Sequence, residues 1–146
     1  MAYSTDLDLE LRRAGIRELL PDGGRQLRQL AEEHLLEDLE LRWYRPAALA
    51  RGLDWRLTPM DVTRLEPTQL KRLSVLKTLV YAHEHLMRYG QDAADGFERH
   101  RERYAREYED ELDRRVAAGL DYDWDENDTV SAFERAAAVP GRLERA

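Results

Sequence analysis

Apolar side chains recur at every third or fourth position along four stretches of this chain, and no stretch of useful length alternates apolar and polar residues as a strand does. Each stretch ends at a proline or glycine, the residues that commonly terminate a helix. The stretches are residues 6–20, 26–44, 67–90 and 93–118. This pattern predicts an all-α fold, a four-helix bundle over residues 1–118, followed by a distinct last quarter.

Two places along these stretches give specific expectations. Pro46 lacks a backbone N–H and restricts Arg45, so we expect the second helix to end at Tyr44. The irregular residues 47–66 predict a short helix followed by an ordered loop, in which Trp55 is the hydrophobic plug. The fourth stretch has a narrow apolar stripe among charged residues, so we expect it to pack along one thin seam or to span between neighbours.

Charge is unevenly distributed along the chain, whose formal net charge is −7. Residues 41–90 have nine basic and four acidic side chains, whereas residues 91–134 have six basic and 15 acidic ones. An acidic total argues against a dedicated nucleic-acid-binding protein, because such proteins derive most affinity from Lys and Arg on phosphates. Blocks of alternating sign suit complementary faces between subunits or between parts of one fold. Solvated helix faces are the other interpretation.

Several protein classes are excluded by what the sequence lacks. It has no cysteine, which excludes a disulfide scaffold, a cysteine-ligated zinc site and a thiol nucleophile. No uncharged run approaches the ~18–20 apolar residues of a transmembrane helix. The acidic start of the sequence lacks the basic and apolar regions of a signal peptide. We therefore expect a soluble protein folded in a reducing cytoplasm, with no membrane partner.

The strongest local motif lies at residues 123–134. An EF-hand loop places oxygen ligands at positions 1, 3, 5, 7, 9 and 12, with a backbone carbonyl at position 7, so that they surround one Ca²⁺ ion. Here these ligands are Asp123, Asp125, Asn127, the Thr129 carbonyl, Ser131 and Glu134. The loop departs from the usual pattern at position 6, which holds Asp128 instead of glycine. The alternative is an acidic turn that is satisfied by its own backbone amides.

No catalytic signature accompanies this motif. The chain lacks a phosphate-binding glycine loop and a Gly-x-Ser-x-Gly elbow, and no pair of carboxylates is marked as an acid–base couple. His83 and His85 are not spaced by four residues, as two metal-binding histidines on one helix face are. We expect His83 to be a core or interface histidine. The sequence thus favours a protein without catalytic activity, although a small acidic enzyme with a site built from distant residues stays an alternative.

Four short segments resemble the head-to-tail adaptor, or connector, proteins of tailed bacteriophages and gene transfer agents. These segments are residues 2–7 (AYSTDL), 43–46 (WYRP), 69–73 (QLKRL) and 119–125 (GLDYDWD), the last one followed by the calcium-loop pattern and an Arg-rich tail. The resemblance consists of these short sequence motifs and of their order along the chain, and it extends over most of the chain. It implies a small helical-bundle protein that forms a ring, commonly of twelve copies, below the portal at the capsid vertex.

The resemblance also implies a role and a set of partners. Family members extend the DNA channel without sequence-specific binding, and they provide the platform for the next neck or tail protein. Their carboxy-terminal arm typically docks on the portal protein. The matching segment here is 136–146, preceded by Arg135. Its implied charge contacts are Arg135, Arg142 and Arg145. From the sequence of the tail itself we expect Leu143 to be the apolar anchor, with the arginines as steering charges.

Together these expectations divide the chain into a helical bundle (1–118), an EF-hand-like loop with a short helix (119–139) and an extended arm (140–146). The expected protein is a virion component of the neck, assembled in the host cytoplasm, with Ca²⁺ as a structural cofactor. A free cytoplasmic calcium-binding regulator is the alternative function. A switch of that kind normally uses paired EF-hands, and this sequence contains a single loop.

Overall fold

Helices dominate the computed structural model, which describes residues 2–89 and 94–125. The α-helices are α1 (Asp6–Arg12), α2 (Arg25–Leu39), α3 (Arg45–Ala50), α4 (Lys71–Tyr89) and α5 (Ala94–Ala118). A π-helical segment, Glu40–Tyr44, connects α2 to α3, and short 3₁₀ turns lie at Arg17–Leu19, Pro21–Gly24, Val62–Arg64 and Pro67–Leu70. The described residues contain no strand, only one antiparallel bridge between Leu65 and Tyr122. The predicted all-α class is therefore confirmed.

The chain divides into two compact units. The first contains residues 1–35 and 70–111, and the second contains residues 36–69 and 112–146. In the first unit α1 contacts α4, and in the second the π-helical segment continues directly into α3.

The start of the chain is fixed in the first unit by a buried carboxylate. Glu32 Oε1 accepts hydrogen bonds from the backbone N–H of Tyr3 (2.9 Å) and of Ser4 (3.3 Å), and from Ser74 Oγ (2.7 Å). The Oγ atoms of Ser4 and Ser74 are also 2.8 Å apart. Because a buried carboxylate requires donors, these bonds explain why Glu32 is tolerated inside the unit.

Helix α1 is shorter than the periodicity predicts. It begins with Thr5 and Asp8 in a capping box and ends at Arg12, whereas the pattern predicted helix to residue 20. The reason is Glu10, whose carboxylate accepts hydrogen bonds from the backbone N–H groups of Gly15 (2.8 Å) and Arg17 (3.3 Å). Gly15 adopts a φ of 79°, which glycine reaches without strain. The prediction for this segment was therefore wrong at its carboxyl end.

Pro46 does not end the helical path, as the sequence analysis expected. The π-helical segment precedes it, and the backbone N–H of Arg45 bonds to the carbonyl of Glu40, five residues earlier. A π turn widens the helix locally, so the proline ring is accommodated and α3 continues to Ala50.

Trp55 is not the plug of the loop that follows α3. Its ring is partly exposed and lies 3.8 Å from the guanidinium carbon of Arg45. Trp43 and Tyr44 fill the interior of the second unit instead, and both are almost completely buried. The π-helical segment provides these two side chains as neighbours.

The two longest helices agree with the sequence. Helix α4 follows a 3₁₀ turn that starts at Pro67, and α5 ends at Ala118 before Gly119, whose φ of 84° suits a helix carboxyl end. Along α5, Tyr104 and Tyr108 are buried in the first unit and Leu112 in the second. The narrow stripe predicted for this helix is thereby confirmed.

Candidate functional site at the start of the C-terminal segment

Residues 119–125, called here the anchor segment, leave α5 and run antiparallel to residues 64–66. The backbone N–H of Glu66 donates to the carbonyl of Asp121 (3.2 Å), and the N–H of Asp123 donates to the carbonyl of Arg64 (3.0 Å). These bonds flank the bridge between Leu65 and Tyr122. The chain that leads into the predicted calcium loop therefore has a defined path.

Gln69 holds the same segment from one side. Its Oε1 accepts from the backbone N–H of Asp121 at 2.9 Å, and its Nε2 donates to the carbonyl of Asp121 at 2.9 Å. One side-chain amide thus occupies both backbone groups of one residue, as a neighbouring strand would. Since Gln69 ends the loop before α4, this contact connects two parts of the second unit that are 52 residues apart.

Four aromatic rings, two of them from the anchor segment itself, pack together and form what we call the aromatic cluster. They belong to Trp43, Tyr44, Tyr122 and Trp124. The centroids of Tyr122 and Trp124 are 4.6 Å apart at a steep angle, whereas Tyr44 and Trp124 are stacked, with planes 7° apart and centroids 5.6 Å apart. Aromatic pairs in such geometry contribute about 0.5–1.5 kcal/mol each beyond their buried area. The cluster is the main apolar support of the anchor segment.

The two tyrosines of the cluster are neutral at physiological pH. Burial raises the pKa of Tyr44 to about 12, and burial is also the chief reason why the pKa of Tyr122 lies above its usual value. The hydroxyl of Tyr122 accepts from the backbone N–H of Asp61 at 3.1 Å, and the hydroxyl of Tyr44 donates to the carbonyl of Thr58. Both phenols therefore act as hydrogen-bonding groups that connect the loop around residues 58–61 to the cluster.

The first two predicted calcium ligands are described by the structure and differ in exposure. Asp123 is only 7% exposed, whereas Asp125 is exposed. Asp123 lies in the extended anchor segment, so α5 does not lead directly into the loop as the incoming helix of an EF-hand does. Within residues 2–89 and 94–125, no group of three or more His, Cys, Asp or Glu side chains is arranged to hold a metal ion.

The other predicted site residues fall outside the described part of the chain. They are the calcium ligands Asn127, Thr129, Ser131 and Glu134, and the partner-binding residues Arg135, Arg142, Leu143 and Arg145. The anchor segment and the aromatic cluster were not predicted. Their only sequence signal is the alternation of Tyr122 and Trp124 with aspartates, which is the period of an extended segment with one buried face.

His83 is a core histidine, as expected. It is fully buried, and its Nδ1 lies 2.7 Å from the carbonyl oxygen of Leu79, one turn earlier in α4. Its ring centroid is 5.3 Å from that of His100 on α5. Burial lowers the pKa of both imidazoles, and the positive charge of Arg13 adds to this effect, so the pair favours the neutral form.

Comparison of the chain with protein-family models, with characterised proteins and with solved structures found no match. Among the helices of the described residues, none combines the length and the apolar character needed to cross a membrane.

Proposed function

We propose that this chain is a structural adaptor of a phage or gene-transfer-agent neck, which forms a ring below the portal and presents a carboxy-terminal arm to it. The observation that supports this proposal is the anchoring of residues 119–125. Two backbone bonds, the Gln69 side chain and the aromatic cluster hold this segment in place. An arm that docks on a partner gains from a fixed starting point, because less conformational freedom is then lost on binding.

The charge distribution supports the same proposal. A ring subunit needs two different lateral faces that fit each other, since a heterologous contact closes by rotation. The basic block of residues 41–90 and the acidic block of residues 91–134 carry opposite charges for such faces. Two pairs between these blocks, Arg42–Asp113 and Arg72–Glu111, already form within one chain, so the lateral contact would use other charges of the two blocks. An excess of acid also reduces adhesion to DNA that passes through a channel, because phosphates then meet like charge.

Calcium has a structural role in this proposal. The candidate ligands supply only oxygen atoms, which is the chemistry that Ca²⁺ prefers. A bound ion would neutralise the acidic loop and direct the chain from the anchor segment toward the arm. Affinity should be weak, on the order of 10⁻⁴–10⁻³ M, because Asp128 replaces the usual glycine and the loop has no partner hand.

Calorimetry tests the calcium site. We expect millimolar Ca²⁺ to give a binding heat with the wild-type chain and a much smaller one with Glu134→Gln, which removes the bidentate ligand but keeps the shape. Trp124 fluorescence should respond to Ca²⁺ and to a chelator, because Trp124 lies between two of the ligands. Equal heats for the two proteins, or no heat for either, would leave only an acidic turn.

Native mass spectrometry tests the adaptor function. The purified chain is measured alone and after mixing with the portal ring of the same particle. We expect a complex in which several copies of the chain bind one portal ring. A monomer that does not bind the portal but changes its charge-state distribution with Ca²⁺ would contradict the adaptor and support a free calcium-binding regulator.

A further inference from the structure

A groove lies between α2 and α4 in the first unit, and we call it the α2–α4 groove. Its volume is about 370 Å³, within the range of about 300–1,000 Å³ that is usual for small-ligand sites. Helix α2 lines it with Leu27, Leu30 and His34, and α4 lines it with five residues between Tyr81 and Tyr89. The spacing of these residues places those of each helix on a single face. The groove therefore has two walls, each formed by one helix.

The α2–α4 groove is closed at one end and open at the other. At the closed end His34 Nδ1 and the Tyr81 hydroxyl are hydrogen-bonded, and the two rings meet edge to face with centroids 5.6 Å apart. Toward the open end Leu30 is 43% exposed and Tyr89 is 71% exposed. The ring of Tyr89 lies beside that of His85, with centroids 4.9 Å apart. Leucine and aromatic side chains thus give the walls apolar character, and a ligand can enter from solvent.

The charges that line the α2–α4 groove do not neutralise each other. Glu84 is paired with Arg101 of α5, whose Nη1 lies 3.6 Å from its Oε1. Arg88 makes no hydrogen bond or ion pair with any residue of the described ranges 2–89 and 94–125. Its place in the last turn of α4 suits the helix dipole but leaves its N–H donors unused. The planar guanidinium fork matches a carboxylate, so the groove offers an anion an unpaired partner.

We propose that the α2–α4 groove binds a small organic acid, a ligand with one carboxylate on an apolar body. The carboxylate binds the guanidinium of Arg88, with the imidazole of His85 as a second donor. The apolar body lies against Leu27, Leu30 and the ring of Tyr89. An uncharged ligand would leave the cation unused, and a cationic one would be repelled by it. This inference goes beyond the proposed function and does not depend on it, because the groove lies within the first unit and involves neither calcium nor the arm.

Calorimetry with octanoate tests the proposal, because this ion joins a carboxylate to an apolar chain. Octanol and octylammonium carry the same chain with no charge and with a positive charge. We expect octanoate to bind with a Kd of about 1 mM or less, and octylammonium not to bind. In a parallel NMR titration octanoate should shift the ring-proton signals of His34 and His85 but not those of His100, which lies on α5 outside the groove. No binding of octanoate, or equal binding of octanoate and octylammonium, would overturn the proposal.

Matched variants locate the carboxylate and the apolar body. Arg88→Ala should weaken octanoate binding by at least about tenfold with the same helical circular dichroism, because it removes a charge-assisted partner. Arg106→Ala is the control, since Arg106 is an exposed arginine of α5 outside the groove, and it should keep the wild-type affinity. Leu30→Asp should also weaken octanoate binding, whereas Leu11→Asp on α1 should not. Equal affinities within either pair of variants would show that octanoate does not occupy this groove, and the proposal would be overturned.

Discussion

Gln69→Leu is the sharpest test of the anchor segment, because it removes one side chain that makes two hydrogen bonds to one residue. Both bonds, to the N–H and the carbonyl of Asp121, are 2.9 Å long. A neutral hydrogen bond contributes a net of about 0.5–1.5 kcal/mol, so the pair contributes about 1–3 kcal/mol. The carbonyl of Asp121 keeps the N–H of Glu66 as a donor, and both bonds of Gln69 lie at a partly buried site. We therefore expect a loss of about 1–2 kcal/mol in the free energy of unfolding.

Equilibrium urea unfolding measures this loss, with Trp fluorescence as the probe because Trp124 belongs to the anchor segment. Gln29→Leu is the control, since Gln29 is an exposed residue of α2 and the change is chemically the same. The control should shift the free energy of unfolding by less than about 0.5 kcal/mol. Equal effects of the two substitutions would show that the Gln69 amide does not anchor the segment, and the support for a fixed arm would be lost.

Two further predictions concern the first unit. Burial lowers the pKa of His83 and of His100 in the folded chain, so the unfolded chain takes up protons first and the stability falls as pH decreases below about 6.5. Urea midpoints between about pH 7 and pH 5 should therefore depend less steeply on pH in His83→Gln than in the wild type or in His85→Gln, and parallel profiles would contradict this. Glu32→Ala leaves the buried backbone N–H groups of Tyr3 and Ser4 without the acceptor they share, so we expect a loss of about 1–3 kcal/mol in the free energy of unfolding, measured with urea. The exposed control Glu33→Ala should be nearly neutral, and a similar loss in both would refute the role of Glu32.

The sequence predicted those elements whose signals are local. Helices α4 and α5 have long apolar stripes between clear proline and glycine boundaries, and both appear near the expected limits. The prediction that the second helix ends before Pro46 was wrong, because the local rule for proline considers only the lost N–H and the steric clash. A π turn relieves both, and the same segment places Trp43 and Tyr44 in the interior of the second unit. A local rule takes no account of such packing.

The candidate site was only partly predictable for a related reason. Asp123 and Asp125 were identified from the spacing of oxygen-bearing residues, which is a local pattern. The contacts that hold the segment containing them involve Gln69, which bonds Asp121, and Arg64, whose carbonyl accepts from the N–H of Asp123; both are distant in sequence. No periodicity encodes such a pairing. Likewise, Leu7 and Leu11 belong to the apolar pattern of residues 6–20, yet both are exposed while Leu9 is buried, since apolar periodicity does not reveal which face of a helix the rest of the fold covers.

A deletion that tests the arm has to begin after the anchor segment, which ends at residue 125. A deletion from residue 119 onward would remove Tyr122 and Trp124 and expose the rings of Trp43 and Tyr44, so any loss of portal binding would follow from damage to the second unit. A deletion of residues 140–146 keeps the anchor segment together with Gln69, the backbone bonds to residues 64–66 and the aromatic cluster. We expect this shorter variant to keep its helical circular dichroism and its unfolding midpoint, but to lose attachment to the portal ring in native mass spectrometry. Leu143 is the one large apolar side chain in the sequence Gly141-Arg142-Leu143-Glu144-Arg145-Ala146, so we expect the docking energy to come from Leu143 and the arginines against a specific surface. Normal attachment of the shortened chain would show that the arm is not the docking element.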